Sequence, residues 1–150
     1  MTGKVLNGAF VGLQHLHPRG YMTLFRACPK VAMVCAYDPD AGLLGDFCRE
    51  SGLKGYTDLD RMLADQPLDF AAIFLPHSDC ATAAVQCARA GLHLMIEKPV
   101  SNTLDGAQRI AEAAAEYGVK LTAGYCWRYH PVVKAMKKLI SQGAVGRLVS

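Results

Sequence analysis

Short apolar runs alternate with helical patterns six times along this chain, and this alternation constrains the fold more than any other sequence feature. The runs are nearly continuous, which is typical of strands covered on both faces. They predict strands at residues 4–11, 31–37, 54–56, 70–75, 92–96 and 119–123. The stretches between them predict helices at residues 18–27, 41–51, 59–63, 81–90, 104–117 and 131–141. This pattern predicts an α/β fold, a doubly wound parallel sheet of about six strands with helices on both faces.

The composition favours one domain with a substantial core. Hydrophobic residues make up 51% of the 150 residues and charged residues 19%, which excludes a disordered chain. The six cysteines form no C-x-x-C pair, so we expect small core residues of a reduced, cytoplasmic protein. The apolar stretch at residues 5–13 is too short and too interrupted for a membrane span or a signal peptide.

The C-terminal end of the chain is basic, although the formal net charge is only +3. No aromatic residue interleaves with Lys134, Lys137, Lys138 and Arg147, so a solvated helix face is favoured over an anionic partner. We therefore expect no nucleic acid and no membrane as partners. Residues 147–150 resemble the start of another strand, which predicts that more protein follows or that another chain supplies the pairing strand.

Glu97-Lys98-Pro99 stands directly after the apolar run of the fifth predicted strand. Ligands of open α/β sheets bind at the carboxyl ends of the strands, so both charged side chains are predicted to lie at the binding edge. A Lys held there can donate a proton or a hydrogen bond to a substrate oxygen. A surface salt bridge followed by a helix-stopping Pro is the alternative that the position disfavours.

The turn after the first strand contains Gly12-Leu13-Gln14-His15-Leu16-His17. A dinucleotide fold usually has G-x-G-x-x-G here, but only the first glycine is present, and Gln14 and His17 occupy the other two places. The backbone N–H groups at the helix start still attract anions. The candidate cofactor-binding residues of this turn are Gly12, Leu13, Gln14 and His15. We predict no metal at His15 and His17, because no carboxylate or Cys lies nearby in sequence.

Asp38 ends the second strand, 26 positions after Gly12. An acid at about this distance can accept hydrogen bonds from ribose hydroxyls and repels a 2′-phosphate. No Arg or Lys follows within the next several residues, so Asp38 favours NAD over NADP. The alternative is that residues 38–40 form only a turn and a helix start.

Two further loops follow predicted strands. Leu75, Pro76 and His77 follow the fourth strand and are candidates for contacts with the nicotinamide ribose, while Ser78 or Asp79 is predicted to cap the next helix. Residues 124–131 follow the sixth strand and are rich in aromatic and basic side chains. Among them Arg128 is the candidate for a polar contact with the cofactor, and a packed hinge is the alternative for the aromatic residues.

With these motifs in place, the chain resembles the N-terminal domain of the Gfo/Idh/MocA oxidoreductases, the family that includes glucose–fructose oxidoreductase and inositol dehydrogenase. The resemblance covers essentially the whole chain, and the order and spacing of its parts make it specific. The matching segments are residues 36–40, 56–58 with 62–63, 68–76, 90–99 with Glu97-Lys98-Pro99, 128–131 and 143–147.

The resemblance implies a two-domain enzyme of roughly twice this length. Residues 1–124 would be a Rossmann domain that binds NAD(P), and residues 125–150 would lead to a C-terminal substrate domain that makes the oligomer interface. Lys98 would be the catalytic residue, in contact with nicotinamide and substrate, and Glu97 would orient Lys98 or face the cofactor. The implied reaction is hydride transfer with a sugar, cyclitol or polyol, and the chain alone would be inactive. The degraded glycine turn leaves a second possibility, a non-catalytic dinucleotide-binding or sensor domain.

Overall fold

Six parallel strands form one sheet in the computed structural model, which describes residues 4–149. The strands are β1 (Leu6–Val11), β2 (Val31–Tyr37), β3 (Lys54–Tyr56), β4 (Phe70–Ile73), β5 (His93–Ile96) and β6 (Leu121–Ala123). Their order is β3-β2-β1-β4-β5-β6, and every neighbouring pair is parallel. The chain winds outward in opposite directions from β1 and β4, so the topological switch point lies between these two strands.

The strands are connected by helices with local start and stop signals. The helices are α1 (His17–Arg26), α2 (Ala41–Ser51), α3 (Leu59–Asp65), α4 (Cys80–Arg89), α5 (Leu104–Glu116) and α6 (Pro131–Ser141), and a 3₁₀ helix spans Cys126–Tyr129. Asp40, Asp58 and Thr103 each accept a backbone N–H at the start of a helix. Gly52 ends α2 with a positive φ of 75°. The predicted doubly wound α/β fold is confirmed.

Helices cover both faces of the sheet. On one face Phe10 of β1 packs against Phe47 of α2 and Phe74, with ring centroids 5.4 and 6.1 Å apart. On the other face Ala9 and Val11, the sequence neighbours of Phe10, join a larger core built with α3, α4 and α5. Successive residues of β1 therefore lie in two different cores, which explains why the strand is apolar throughout.

Several predicted boundaries differ from the structure. β4 ends at Ile73, not at residue 75, because its partner strand β1 ends opposite it at Val11. Residues 147–149 form no strand, since no neighbouring strand pairs with them within the described chain, and Ser150 of that prediction lies outside the described residues. Asp79 occupies the N-cap position of α4, but its side chain makes no capping bond and instead accepts the Ser78 hydroxyl at 3.1 Å.

The cysteines divide into buried and accessible groups. All six are free, and Cys35, Cys80 and Cys87 are buried, as predicted for small core residues. Burial raises the pKa of Cys35 and of Cys87 to about 12, so both remain thiols at neutral pH. Cys126 is exposed, however, so the core prediction does not hold for that residue. In the described part of the chain, no helix has the length and apolar character needed to cross a bilayer.

Candidate functional site

The carboxyl ends of β1, β4 and β5 meet at one edge of the sheet. The Phe74 amide donates to the Val11 carbonyl at 2.7 Å, and the Glu97 amide donates to the Ile73 carbonyl at 2.9 Å. These bonds hold the start of each loop against the end of the neighbouring strand. The segments that begin at Gly12, Phe74 and Glu97 are therefore side by side at the switch point.

Gly12 makes the first turn possible. Its φ is +90°, a conformation that residues with a Cβ rarely adopt. A Cβ at this position would lie 2.4 Å from the Leu75 amide nitrogen and 2.7 Å from the Leu75 Cα. Gly12 is therefore required both for its backbone conformation and for the close approach of the loop that follows β4.

Asp38 holds this turn from the end of β2. Its side chain is fully buried, with Oδ2 accepting the Leu13 amide at 2.7 Å and Oδ1 accepting the Asp40 amide at 2.9 Å. The carboxylate thus joins the first turn of the domain to the start of α2. Sequence reasoning assigned Asp38 to a ribose, but in the structure both of its oxygens are engaged by backbone donors. Each oxygen keeps a second lone pair for a further hydrogen bond.

Glu97 is the other buried carboxylate of the edge, with 3% of its surface exposed. Its Oε2 lies 2.6 Å from His17 Nδ1, and its Oε1 accepts the Lys98 amide at 2.9 Å. Burial opposes the charge, but the contacts with His17, the Lys98 amide and the nearby His15 outweigh it, so the pKa of Glu97 lies below its usual value. Glu97 is therefore ionised at neutral pH.

His17 is a functional candidate that sequence reasoning considered and set aside. It begins α1 and takes the third glycine place of the usual dinucleotide turn, where its ring reaches Glu97 from 80 positions away. The prediction of no metal relied on the lack of a nearby carboxylate in sequence, but the fold places Glu97 beside both histidines. The sequence signals were the His15-x-His17 spacing and a bulky polar residue at a position that normally requires glycine.

A cavity of about 220 Å³ lies at this edge. It brings together most of the predicted cofactor-binding residues, and its lining consists of Gln14, His15, Phe74, Leu75, Pro76, His77 and Glu97. His77 Nδ1 is buried and has no hydrogen-bond partner among the described residues. An unpaired buried polar atom is costly, and the described part of the chain offers no partner that offsets this cost at His77 Nδ1.

Lys98 and Arg128 lie outside the lining of this cavity. Lys98 is exposed, follows Glu97 directly, and its ammonium has no ion-pair partner within residues 4–149. Arg128, in the 3₁₀ helix, lines a different cavity of about 520 Å³ with Tyr129, Lys134 and Lys137. Lys98 is therefore the sequence neighbour of a residue that lines the cavity, whereas Arg128 lies on a different surface.

The strand order, the glycine turn at the switch point and the cavity beside it define a Rossmann domain of the dinucleotide-binding type. Comparison of the sequence with known families is more specific. Residues 6–125 match the Gfo/Idh/MocA family, described as an oxidoreductase family with an NAD-binding Rossmann fold. The chain belongs to this family, as its motifs predicted.

Individual relatives agree with this assignment. The scyllo-inositol 2-dehydrogenase (NAD(+)) of Bacillus subtilis is 27% identical over 140 residues, which are 93% of this chain and 41% of that protein. The D-xylose 1-dehydrogenase (NADP(+)) 2 of Haloferax volcanii is 32% identical over 98 residues, 63% of this chain and 29% of that protein. Relatives named for NAD and for NADP thus both occur.

The solved structures show the same fold. The crystal structure of myo-inositol 2-dehydrogenase from Lactobacillus plantarum matches with a TM-score of 0.86 and 24% identity, over 97% of this chain and 44% of that chain. At this level of identity the match concerns the fold alone. The chain spans less than half the length of each of these relatives.

Proposed function

We propose that this chain binds a nicotinamide dinucleotide at the β1–β4 switch point and forms the cofactor-binding part of an oxidoreductase acting on a sugar, cyclitol or related polyol. The observation that carries the proposal is the cavity between the Gly12 turn and the loop after β4, with Glu97-Lys98 at its border. Membership of an oxidoreductase family and similarity to inositol and xylose dehydrogenases support the substrate class.

The residues of the turn would bind the cofactor mainly through the backbone. The N–H groups at the start of α1 attract the pyrophosphate, as at other helix N-termini. Gln14 and His77 line the cavity and carry side-chain groups that can form hydrogen bonds with the cofactor. Leu75 and Pro76 supply apolar contacts beside them.

NAD is the proposed form of the cofactor. The buried Asp38 carboxylate lies against the Leu13 amide at the end of β2, where the adenosine ribose is held in this fold. Its negative charge disfavours a 2′-phosphate at that position, and no Arg or Lys follows it before Arg49. NADH should therefore bind more tightly than NADPH.

Lys98 would act on the substrate. A bound nicotinamide supplies the hydride acceptor or donor. In the reduction direction, the Lys98 ammonium would donate a hydrogen bond to the substrate carbonyl oxygen, stabilise the negative charge that develops there as hydride arrives, and give that oxygen a proton that it regains from solvent. Oxidation of the hydroxyl would follow the same steps in reverse, with the amine accepting the hydroxyl proton. Glu97 holds the backbone amide of Lys98 and so fixes where the lysine leaves the sheet edge.

Residues 125–150 would lead into a substrate domain in a longer parent protein, which would also form the oligomer interface. No residue of the 3₁₀ helix or of α6 is buried, and α6 exposes Val132, Met136, Leu139 and Ile140. An amphipathic helix with an uncovered apolar side is typical of an element that packs against further protein.

A cytoplasmic location is proposed from the free cysteines.

A second candidate function is dinucleotide sensing without catalysis. The specific observation in its favour is that Gln14 and His17 replace two glycines of the usual turn, and that His17 is engaged by Glu97. Such a domain would bind the cofactor but would have no catalytic use for Lys98.

Calorimetric titration of this chain with NADH and NADPH tests the binding proposal. We expect saturable binding of one NADH and weaker binding of NADPH. Absence of NADH binding at millimolar concentration would refute it. Gln14 lines the cavity, so Gln14→Ala should weaken NADH binding. Gln66 lies outside the cavity, so Gln66→Ala should leave NADH binding unchanged.

The catalytic proposal is tested in the longer parent protein. Lys98→Ala should lower the turnover of a polyol substrate by roughly 10²–10⁴-fold while NADH binding is retained, because the lost group acts mainly on the substrate oxygen and the rest of the cofactor site is intact. Lys30→Ala is the matched control, since Lys30 is an exposed lysine that precedes β2 at the opposite edge of the sheet. Unchanged turnover in Lys98→Ala would refute the catalytic role of Lys98. A parent protein that binds NADH but turns over no polyol would favour the sensor.

A further inference from the structure

Three side chains with metal-binding atoms converge at the start of α1. One ligand atom from each of His15, His17 and Glu97 lies within 4.8 Å of the other two. The two histidines belong to the first turn, and Glu97 follows β5, so the fold creates the cluster from distant segments. We propose that these residues form a binding site for a divalent transition-metal ion, with Zn²⁺ as the best match.

The donor set decides which ion fits. Two imidazoles and one carboxylate are a common set for Zn²⁺ and leave a fourth position open for water or a ligand. Mg²⁺ and Ca²⁺ prefer oxygen ligands, which only Glu97 provides here. The affinity of the site should therefore follow the general order for nitrogen donors, with Zn²⁺ and Co²⁺ bound more tightly than Mg²⁺.

The geometry requires small side-chain movements. Tetrahedral ligands around Zn²⁺ are about 3.3 Å apart, given bond lengths near 2.0 Å. His17 Nδ1 and Glu97 Oε2 are 2.6 Å apart, so they must separate slightly, and the widest pair of the cluster, no more than 4.8 Å apart, must come together. Both histidines are exposed residues, so their rings are free to make this adjustment, while the buried carboxylate stays in place.

Neighbouring hydrogen bonds already orient the ligands. The Lys98 amide donates to Glu97 Oε1 at 2.9 Å, which leaves Oε2 directed to the histidines. A hydrogen bond to the free oxygen of a ligating carboxylate fixes its orientation in metal sites. The two imidazole rings are packed edge to face with centroids 4.1 Å apart. The His17 amide donates to His15 Nδ1 at 3.2 Å, and this bond must be given up when the ion binds, because it occupies the lone pair of the His15 ring. The alternative is that His17 and Glu97 form only an ion pair.

Titration of the tag-free chain with Co²⁺, followed by visible absorption, and with Zn²⁺, followed by calorimetry, separates these alternatives. We expect one ion per chain and visible cobalt bands without the intense near-ultraviolet band of a cobalt–thiolate bond. His15→Ala should weaken binding at least about tenfold, because it removes a ligand. His15 is exposed, so this variant should fold, as circular dichroism will verify.

His130→Asn is the matched control. It removes an imidazole that lies outside the cluster and retains a good N-cap residue for α6. Its metal affinity should equal that of the wild type. The proposal is overturned if no stoichiometric binding occurs, if His15→Ala binds as tightly as the wild type, if His130→Asn loses affinity equally, or if a thiolate band appears. None of these outcomes depends on whether the chain binds a dinucleotide.

Discussion

Asp38 and Glu97 are the two buried carboxylates at the carboxyl edge of the sheet, and their environments differ. Asp38 accepts two backbone amides, from Leu13 and Asp40, both held by the fold itself. Glu97 accepts one backbone amide and contacts one side chain, that of His17, which is 45% exposed. The first environment is fixed by the backbone, whereas the second includes a partner that can move or bind something else.

This difference distinguishes a carboxylate that stabilises the fold, Asp38, from one that can take part in binding, Glu97. Backbone donors cannot leave Asp38 without unfolding the turn, so the β2 side of the site is rigid. A half-exposed imidazole can leave Glu97 at small cost, so the β5 side is adaptable. Glu97 also lines the cavity beside Gln14 and His77, and Lys98 follows it directly in sequence. We therefore expect substitutions near Asp38 to affect stability most and those near Glu97 to affect binding most.

The largest effect is expected from Gly12→Ala, which disrupts the turn that Asp38 supports. The new Cβ would lie 2.4 Å from the Leu75 amide nitrogen, and the φ of +90° would be strained. We expect a loss of about 3 kcal/mol or more in the free energy of unfolding, measured by urea denaturation.

Gly20→Ala is the matched control for this substitution. Gly20 lies within α1, where an added Cβ meets no atom within 4 Å, and its φ is not positive. Alanine there should be neutral or stabilising by up to about 1 kcal/mol, because it is the better helix former. Similar stabilities for Gly12→Ala and Gly20→Ala would contradict the view that the Gly12 turn is rigid.

The sequence predicted most of the fold because apolar continuity and helix stop signals are local. Residues 31–37, 54–56, 41–51 and 131–141 were placed within their observed bounds. Boundaries that depend on a neighbouring strand were less accurate, as at the end of β4, where pairing with β1 stops at Val11. The length of β4 is set by β1, which is distant in sequence, so a local sequence pattern carries no information about it.

Asp38→Asn should give the next largest effect. Asparagine has the same shape, but its NH₂ group would face a backbone N–H of Leu13 or Asp40 in place of an accepting oxygen. One charged hydrogen bond is lost and a buried donor is left unpaired, so we expect a loss of about 2–3 kcal/mol in urea denaturation.

Asp40→Asn serves as its control. Asp40 caps α2 through the Gly42 and Leu43 amides, and asparagine is an equally good N-cap residue. The control should change stability by less than about 0.5 kcal/mol. If both variants were equally stable, the backbone bonds of Asp38 would contribute little, and its carboxylate would be retained for a ligand alone.

The candidate site was only partly predictable, for a physical reason. Glycine and charged residues after strands located Gly12, His77 and Glu97 at one edge, since strand ends in a parallel sheet coincide. Two contacts could not be predicted from the local sequence. They are the hydrogen bonds that backbone amides donate to Asp38, and the contact of Glu97 with His17, 80 positions away. Both depend on the conformation of a turn whose glycine pattern departs from the usual one.

The smallest stability effect is expected from Glu97→Gln. The amide oxygen can still accept the Lys98 amide, and the half-exposed His17 ring can turn toward water, so no buried charge is left alone. We expect a loss of about 0.5–1.5 kcal/mol in urea denaturation, less than for Asp38→Asn. Glu112→Gln, on an exposed position of α5, should change stability by less than about 0.5 kcal/mol and serves as the control. A loss for Glu97→Gln as large as that for Asp38→Asn would mean that the His17 contact is as rigid as a backbone bond, and the two sides of the site would no longer differ.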